Sequence, residues 1–302
     1  MNRILFNADE LDADGRATFG GARAEHVLTI LHGEVGQTLK TGVVDGLIGT
    51  GVIERIEGEM VTVKCVHDRA APPPWIDLIL APPRPRAMKR LLPQLAAMGV
   101  GRIVLVGAAK VEKAFWGAQL LKEAIYRPLL VDGLMQAGTT ALPTIQIERA
   151  FGRWLEGGRF EEQFGGQKDR IVAHPSSVKE FKVDKVVKAD KVDKEFKVDK
   201  VVKVDKVVND SKDPNDLNDL KDHNDLKDPN DLNDLKSAMG RPILAIGPEG
   251  GWTDDEVARL EAHGFRRMSL GPRILRTDTA TIALLARLMP EADAFTNTTK
   301  ET

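Results

Sequence analysis

Short segments in which apolar and polar residues alternate occupy the first part of the chain. Thr38–Val44, Gly51–Ile56 and Met60–Val66 follow this pattern, and glycine-containing or charged turns separate them. Alternation with a period of two predicts strands that bury one face. We therefore predict a small β-barrel over residues 1–70, and the prolines that follow it predict a stiff linker at 71–74.

After the linker, short apolar runs alternate with longer segments whose apolar residues recur at helical spacing. The predicted strands are Trp75–Ala81, Arg102–Val106, Ile171–Ala173, Ile243–Ile246 and Met268–Leu270. The predicted helices are Arg86–Met98, Gln119–Met135, Asp254–Ala262 and Thr279–Leu288. This alternation predicts an α/β domain with a mainly parallel sheet.

A low-complexity segment, 179–236, divides the second domain into 75–178 and 237–290, and a tail follows at 291–302. Glu180–Val187 recurs at Glu195–Val202, and Asp213–Lys221 recurs at Asp228–Lys236, each time fifteen residues later. A fixed period is typical of stacked solenoid repeats. Large apolar residues are scarce here, however, and Asp-Pro steps interrupt helices. We therefore favour a disordered or weakly helical insertion over a solenoid.

Composition and charge narrow the class of protein. The formal net charge of −2 excludes a simple basic arm for nucleic acid. Cys65 is the single cysteine, and we expect it to be a small buried residue of a strand. Low cysteine use and the absence of a long apolar run predict a soluble cytoplasmic protein without a membrane span. No metal site is predicted.

Two glycine- and proline-containing loops near the C-terminus are the best candidates for chemistry. Gly247–Gly251 and Leu270–Thr277 each lead from a short apolar run into a helix, and such loops bring backbone groups close to a ligand. Thr253 and Glu256 form a capping-box pattern at the next helix start. The acidic residues there disfavour a phosphate, and no ATP-binding or dinucleotide-binding loop motif occurs. A cationic or neutral ligand such as S-adenosylmethionine fits better; a nucleotide-binding regulator with another ligand is a weaker alternative.

These loops resemble those of the RsmE family, the 16S rRNA uridine-N3 methyltransferases of the SPOUT class. The resemblance rests mainly on Ile246–Gly251 and Ser269–Ala280, in this order. Ala173–Pro175 resembles the family's His-Pro after a strand, and Gly99–Ile103 resembles its strand entry. The resemblance implies an α/β SPOUT-type methyltransferase domain with a trefoil knot, preceded by a small PUA-like β-barrel domain. It also implies a homodimer whose substrate is ribosomal RNA or the small ribosomal subunit.

The resemblance also assigns roles to individual residues. S-adenosylmethionine is expected to contact residues of the two loops and of the His-Pro pair: His174, Pro175, Ile246, Gly247, Pro248, Glu249, Gly250, Gly251, Leu270, Gly271, Ile274, Leu275, Arg276 and Thr277. RNA is expected to contact a set of basic residues: Arg3, Arg84, Arg86, Lys89 and Arg90. Lys110 and Lys113 could extend this basic surface.

For catalysis, Arg276 is the candidate because a guanidinium suits the carbonyl oxygens that flank the uridine N3. An ion pair with a carboxylate is the equal alternative for Arg276. Loop hydrogen bonding is favoured over proton acceptance for Glu249, and strand-end hydrogen bonding is favoured over base catalysis for His174.

Several charged positions of the family pattern are uncharged in this chain. Ala87 and Ala97 stand where the first helix has a Lys and a Glu, and Gly107–Ala109 replaces a Ser-Glu-Arg. The resemblance implies that the target is N3 of a uridine in 16S rRNA, and the lost charges leave two alternatives open. One is methylation of a different rRNA or tRNA nucleotide, and the other is a non-catalytic RNA-binding relative.

Overall fold

The computed structural model describes residues 2–175 and 240–290. The repeat segment 179–236 and the tail 291–302 lie outside the described residues.

The N-terminal part forms a five-stranded sheet. Its strands are β1 (Ile4–Phe6), β2 (Arg16–Phe19), β3 (Thr38–Val43), β4 (Ile48–Glu57) and β5 (Met60–Arg69). They lie in the order β1-β3-β4-β5-β2, and all neighbours are antiparallel except β1 and β3. Alternate side chains of these strands close over a core that includes Phe6, Phe19 and Ile53. Cys65 belongs to this core, as predicted.

The second sheet is wholly parallel. Its strands are β6 (Ile76–Leu80), β7 (Val100–Val106), β8 (Thr144–Glu148), β9 (Arg170–Ala173), β10 (Ile243–Ile246) and β11 (Phe265–Met268). They lie in the order β11-β9-β10-β6-β7-β8, so β10 inserts between two strands that precede it in the chain. The predicted parallel α/β sheet is confirmed.

Helices cover both faces of this sheet. The longer ones are α2 (Pro85–Ala97), α3 (Glu123–Ala137) and, at the end of the described chain, α7 (Thr277–Leu288); α4 (Phe151–Glu156), α5 (Arg159–Phe164) and α6 (Asp254–Ala262) are shorter, whereas α1 (Gly21–Glu25) packs into the core of the N-terminal sheet. Along β6, Leu78 and Leu80 face the layer formed by α2, α3 and α7, whereas Ile79 faces α4, α5 and α6. Burial on both faces explains why these strands read as continuous apolar runs.

Two predicted elements needed correction. The last strand is Phe265–Met268 rather than Met268–Leu270. Arg266 and Arg267 are exposed on this edge strand, so it lacks the apolar run from which the other strands were predicted. The segment that begins at Gln119 is a separate short 3₁₀ turn before α3 starts at Glu123.

Arg3 joins the two sheets and is 8% exposed. Its Nη1 donates to the carbonyl oxygens of Thr41 (2.6 Å) and Gly49 (3.0 Å), and its Nε donates to that of Gly138 (3.0 Å) at the end of α3. Backbone carbonyls thus take three of the five guanidinium N–H donors of this buried side chain, which presents little of itself to RNA. The structure therefore corrects the prediction for Arg3, which is an interdomain structural residue.

Across the described ranges, no helix combines the length and the apolarity that a bilayer crossing requires.

Candidate functional site

The C-terminal ends of the parallel strands bring the predicted loops to one edge of the sheet. β6 ends before the proline-rich entry to α2, and β10 ends before the loop Gly247–Gly251. β9 and β11 end beside each other, where the N–H of His174 donates to the carbonyl oxygen of Met268 (3.0 Å). In open α/β sheets, ligands bind at this carboxyl edge.

The first loop is tightly packed at its start. A Cβ added to Gly247 would lie 3.1 Å from the backbone nitrogen and from Cδ1 of Trp252. Trp252 is buried and stacks on Phe151 with ring centroids 5.4 Å apart. The capping box predicted after the loop is confirmed: Glu256 N–H donates to Thr253 Oγ1 (3.2 Å), and Thr253 N–H donates to Glu256 Oε2 (2.8 Å).

The second loop turns at Gly271, which is buried and has a φ of 107°. This left-handed conformation favours glycine. The Gly271 N–H donates to Ser269 Oγ at 3.1 Å. Leu270 and Leu275 are half-buried, whereas the side chain of Ile274 is 90% exposed. The loop therefore offers both backbone groups and an exposed apolar side chain.

A direct hydrogen bond joins the two loops. Thr277 Oγ1 donates to the carbonyl oxygen of Gly247 at 3.3 Å. Thr277 is the first residue of α7 and is only 4% exposed. The two loops that were expected to contact the same cofactor therefore lie side by side.

A cavity of about 430 Å³ opens beside this contact. Its lining combines residues from the entry to α2, from the first loop and from the start of α7: Pro83, Arg84, Arg86, Ala87, Arg90, Glu249, Arg276, Thr277 and Asp278. The lining thus includes Arg84, Arg86 and Arg90, which were predicted to contact RNA. It also includes Glu249, Arg276 and Thr277, which were predicted to contact the cofactor. Lys89 is exposed on α2 and does not line the cavity.

The cavity carries an excess of positive charge, since its lining has four arginines and two carboxylates. Arg90 Nη2 pairs with Asp278 Oδ2 at 3.2 Å, and Glu249 Oε1 accepts the Arg84 N–H at 3.1 Å. The Glu249 contact agrees with the loop hydrogen bonding favoured from the sequence. Within residues 2–175 and 240–290, the Arg276 guanidinium makes no side-chain hydrogen bond or ion pair, so the ion-pair alternative for Arg276 finds no support there.

Sequence reasoning missed two features of the site. Asp278 was not predicted as a site residue, yet its ion pair with Arg90 links α7 to α2. Lys110 was expected on a basic surface, yet its Nζ donates to the carbonyl oxygen of Gly250 at 2.9 Å. Both contacts join segments that are far apart in the sequence, so no local sequence pattern could predict them.

Comparison with known proteins identifies the class. The sequence model of the family described as RNA methyltransferase domain matches residues 71–195 and 191–289. The chain therefore belongs to this RNA methyltransferase family, which confirms the family predicted from the two loops.

Among curated relatives, the ribosomal RNA small subunit methyltransferase E of Treponema pallidum is 27% identical over 98% of this chain and 93% of its own length. Two solved structures share the fold with a TM-score of 0.59 and cover 95% of this chain and 96% of theirs. One is the ribosomal RNA small subunit methyltransferase E of Neisseria gonorrhoeae bound to S-adenosylmethionine, at 18% identity. The other is a Legionella pneumophila protein in complex with the same cofactor, at 20% identity.

Proposed function

We propose that the protein is an S-adenosylmethionine-dependent methyltransferase that acts on N3 of a uridine in 16S ribosomal RNA. The observation that carries the proposal is the meeting of the two glycine-rich loops beside an arginine-lined cavity, on a chain of the RNA methyltransferase family. The name of the Treponema pallidum relative, which covers nearly the whole chain, supports rRNA as the substrate.

The two loops fit S-adenosylmethionine on local grounds. Gly247 and Gly271 allow close approach of the backbone, and the half-buried Leu270 and Leu275 offer apolar contact for an adenine ring. His174 and Pro175 lie at the end of β9 beside the second loop. When bound there, the cofactor supplies an electrophilic methyl group on its sulfonium.

The cavity suits the other reactant, a base with phosphates on either side. Arg84, Arg86 and Arg90 can contact phosphate oxygens, which positions RNA without reading its sequence. Arg276 lies at the junction of the cavity and the second loop, with its guanidinium free of partners among the described residues. Negative charge develops on uridine O2 and O4 as the N3 proton leaves, and a guanidinium fork there stabilises that charge.

The proposal extends to architecture and location. The position of β10 between β9 and β6, with α7 bonded back to the β10 loop, supports a SPOUT-type trefoil knot. The curled sheet of β1–β5 supports a PUA-like RNA-binding domain. We further propose a homodimer in the cytoplasm whose partner is the small ribosomal subunit.

Calorimetry and methyl transfer test the function together. The purified chain should bind S-adenosylmethionine and transfer label from it to small subunits isolated from cells that lack the gene. Absence of binding heat at high protein concentration would reject the cofactor. Binding without transfer to any RNA would instead support the non-catalytic relative, and transfer to another nucleotide would support the alternative target.

A further inference from the structure

Lys110 lies just beyond β7 and contacts the first loop rather than solvent alone. Its Nζ donates to the carbonyl oxygen of Gly250 (2.9 Å) and lies 3.5 Å from that of Trp252. Its aliphatic stem also lies against the loop, because a Cβ added to Gly250 would be 3.0 Å from Lys110 Cδ. One ammonium thus bridges two carbonyls on either side of Gly251.

The neighbouring residue is fixed to the same region by an independent contact. The Ala109 N–H donates to Glu256 Oε1 at 2.7 Å. Glu256 is 7% exposed, and its other oxygen holds Thr253 at the start of α6. The turn after β7 is therefore connected both to the loop and to the helix that follows it.

The loop needs such support because of its composition. Gly250 and Gly251 are adjacent, and Gly251 has a φ of 69°. Two consecutive glycines have the largest conformational freedom of any pair, so Gly250 and Gly251 form the least constrained part of the loop, where the one internal backbone bond among the described residues joins the Gly251 N–H to the Pro248 carbonyl oxygen (2.8 Å). A cation that holds the carbonyls of Gly250 and Trp252 reduces that freedom before a ligand arrives.

We propose that Lys110 is a positioning residue that pre-organises the Gly247–Gly251 loop for the cofactor. This inference rests on the proposed binding of S-adenosylmethionine by that loop. Lys110 is exposed, so the contact contributes little to the stability of the fold and acts on the shape of the loop. Pre-organisation raises affinity by removing the ordering cost of binding.

The test compares Lys110→Met, which keeps the apolar stem, with Lys110→Arg, which restores donors. Lys113→Met is the matched control, since Lys113 is an exposed neighbour on the same segment. We expect Lys110→Met to raise the Kd for S-adenosylmethionine about two- to fivefold, or about 0.4–1 kcal/mol. Lys110→Arg should recover most of the affinity, and Lys113→Met should leave it unchanged. The KM for RNA and the thermal unfolding midpoint should not change in Lys110→Met.

Amide hydrogen exchange without cofactor gives a second readout. Exchange at residues 249–253 should be faster in Lys110→Met than in the parent protein. Unchanged affinity together with unchanged exchange would overturn the inference. A raised KM for RNA with unchanged cofactor affinity would also overturn it, because Lys110 would then contact phosphate. If the parent protein binds no S-adenosylmethionine, the proposed function fails, and the exchange comparison still decides whether Lys110 orders the loop.

Discussion

The hydroxyl of Thr277 donates a hydrogen bond to the carbonyl oxygen of Gly247, thirty residues earlier in the chain. The same residue accepts, through its own carbonyl, a bond from Thr281 Oγ1 at 2.7 Å. The first turn of α7 is therefore linked directly to the loop after β10, and the two loops proposed to bind the cofactor are held side by side.

Removal of this hydroxyl should weaken cofactor binding. Thr277→Val keeps the shape of the side chain and leaves the Gly247 carbonyl unpaired. A neutral hydrogen bond of this kind contributes about 0.5–1.5 kcal/mol, so we expect the Kd for S-adenosylmethionine to rise roughly two- to tenfold. Thr279→Val on the exposed side of the same turn is the control. Equal affinities for the two variants in calorimetry would show that the bond does not shape the site.

Arg276 is among the residues expected to contact the cofactor, and its larger effect should be on the chemical step. Loss of one donor to a developing oxyanion typically lowers kcat about 10²–10³-fold, and we expect a loss of that order for Arg276→Ala in single-turnover methyl transfer. Arg276→Lys should recover little, because an ammonium lacks the planar fork. Arg273→Ala, an exposed arginine of the same loop, is the control. A normal single-turnover rate for Arg276→Ala would remove Arg276 from the mechanism.

Asp77 should be essential for the stability of the fold. It lies near the start of β6, at the end of the sheet opposite the proposed site. Its carboxylate is fully buried and binds Arg102 (3.0 Å), Arg241 (3.0 Å) and Gln167 (2.8 Å), which precede or belong to three other strands. Removal of one partner from a buried ion pair costs about 3–5 kcal/mol.

Asp77→Ala should therefore lower the free energy of unfolding by about 3–5 kcal/mol in urea denaturation. Asp169→Ala is the control, because Asp169 pairs with Arg266 on the surface and exposed pairs contribute about 0–1 kcal/mol. Similar losses in the two variants would contradict the role of the buried carboxylate.

The N-terminal sheet should lose stability as the pH falls through the range of histidine. Burial, with a smaller effect of Arg3, lowers the pKa of His67, whose Nε2 lies 3.0 Å from Thr41 Oγ1. Below the unfolded pKa of about 6.5, the unfolded chain binds a proton that the folded chain does not, so stability falls with pH until the folded pKa is passed. His67→Gln should show a smaller decrease in melting temperature between about pH 7.5 and pH 5.5. An identical decrease in both proteins would exclude His67 as the cause.

Local patterns predicted much of this fold because most strands of the parallel sheet are buried on both faces and α6 begins at a capping box. Asp254–Ala262 and Ile243–Ile246 have the predicted bounds. The burial of Arg3 could not be predicted, because an arginine near the N-terminus is expected on the surface. Its hydrogen-bond acceptors are three carbonyl oxygens that are distant in the sequence, those of Thr41, Gly49 and Gly138. Lys110 and Asp278 had the same difficulty, because their partners lie on other segments.

The proposed methyl acceptor is tested most directly by nucleoside mass spectrometry of 16S rRNA. Small subunits from cells that lack the gene would be incubated with the purified chain and S-adenosylmethionine, and the rRNA digested to nucleosides and to mapped fragments. The account predicts that 3-methyluridine is absent before incubation and appears at one position afterwards. A full complement of 3-methyluridine before incubation, or a methyl group on another base afterwards, would contradict it.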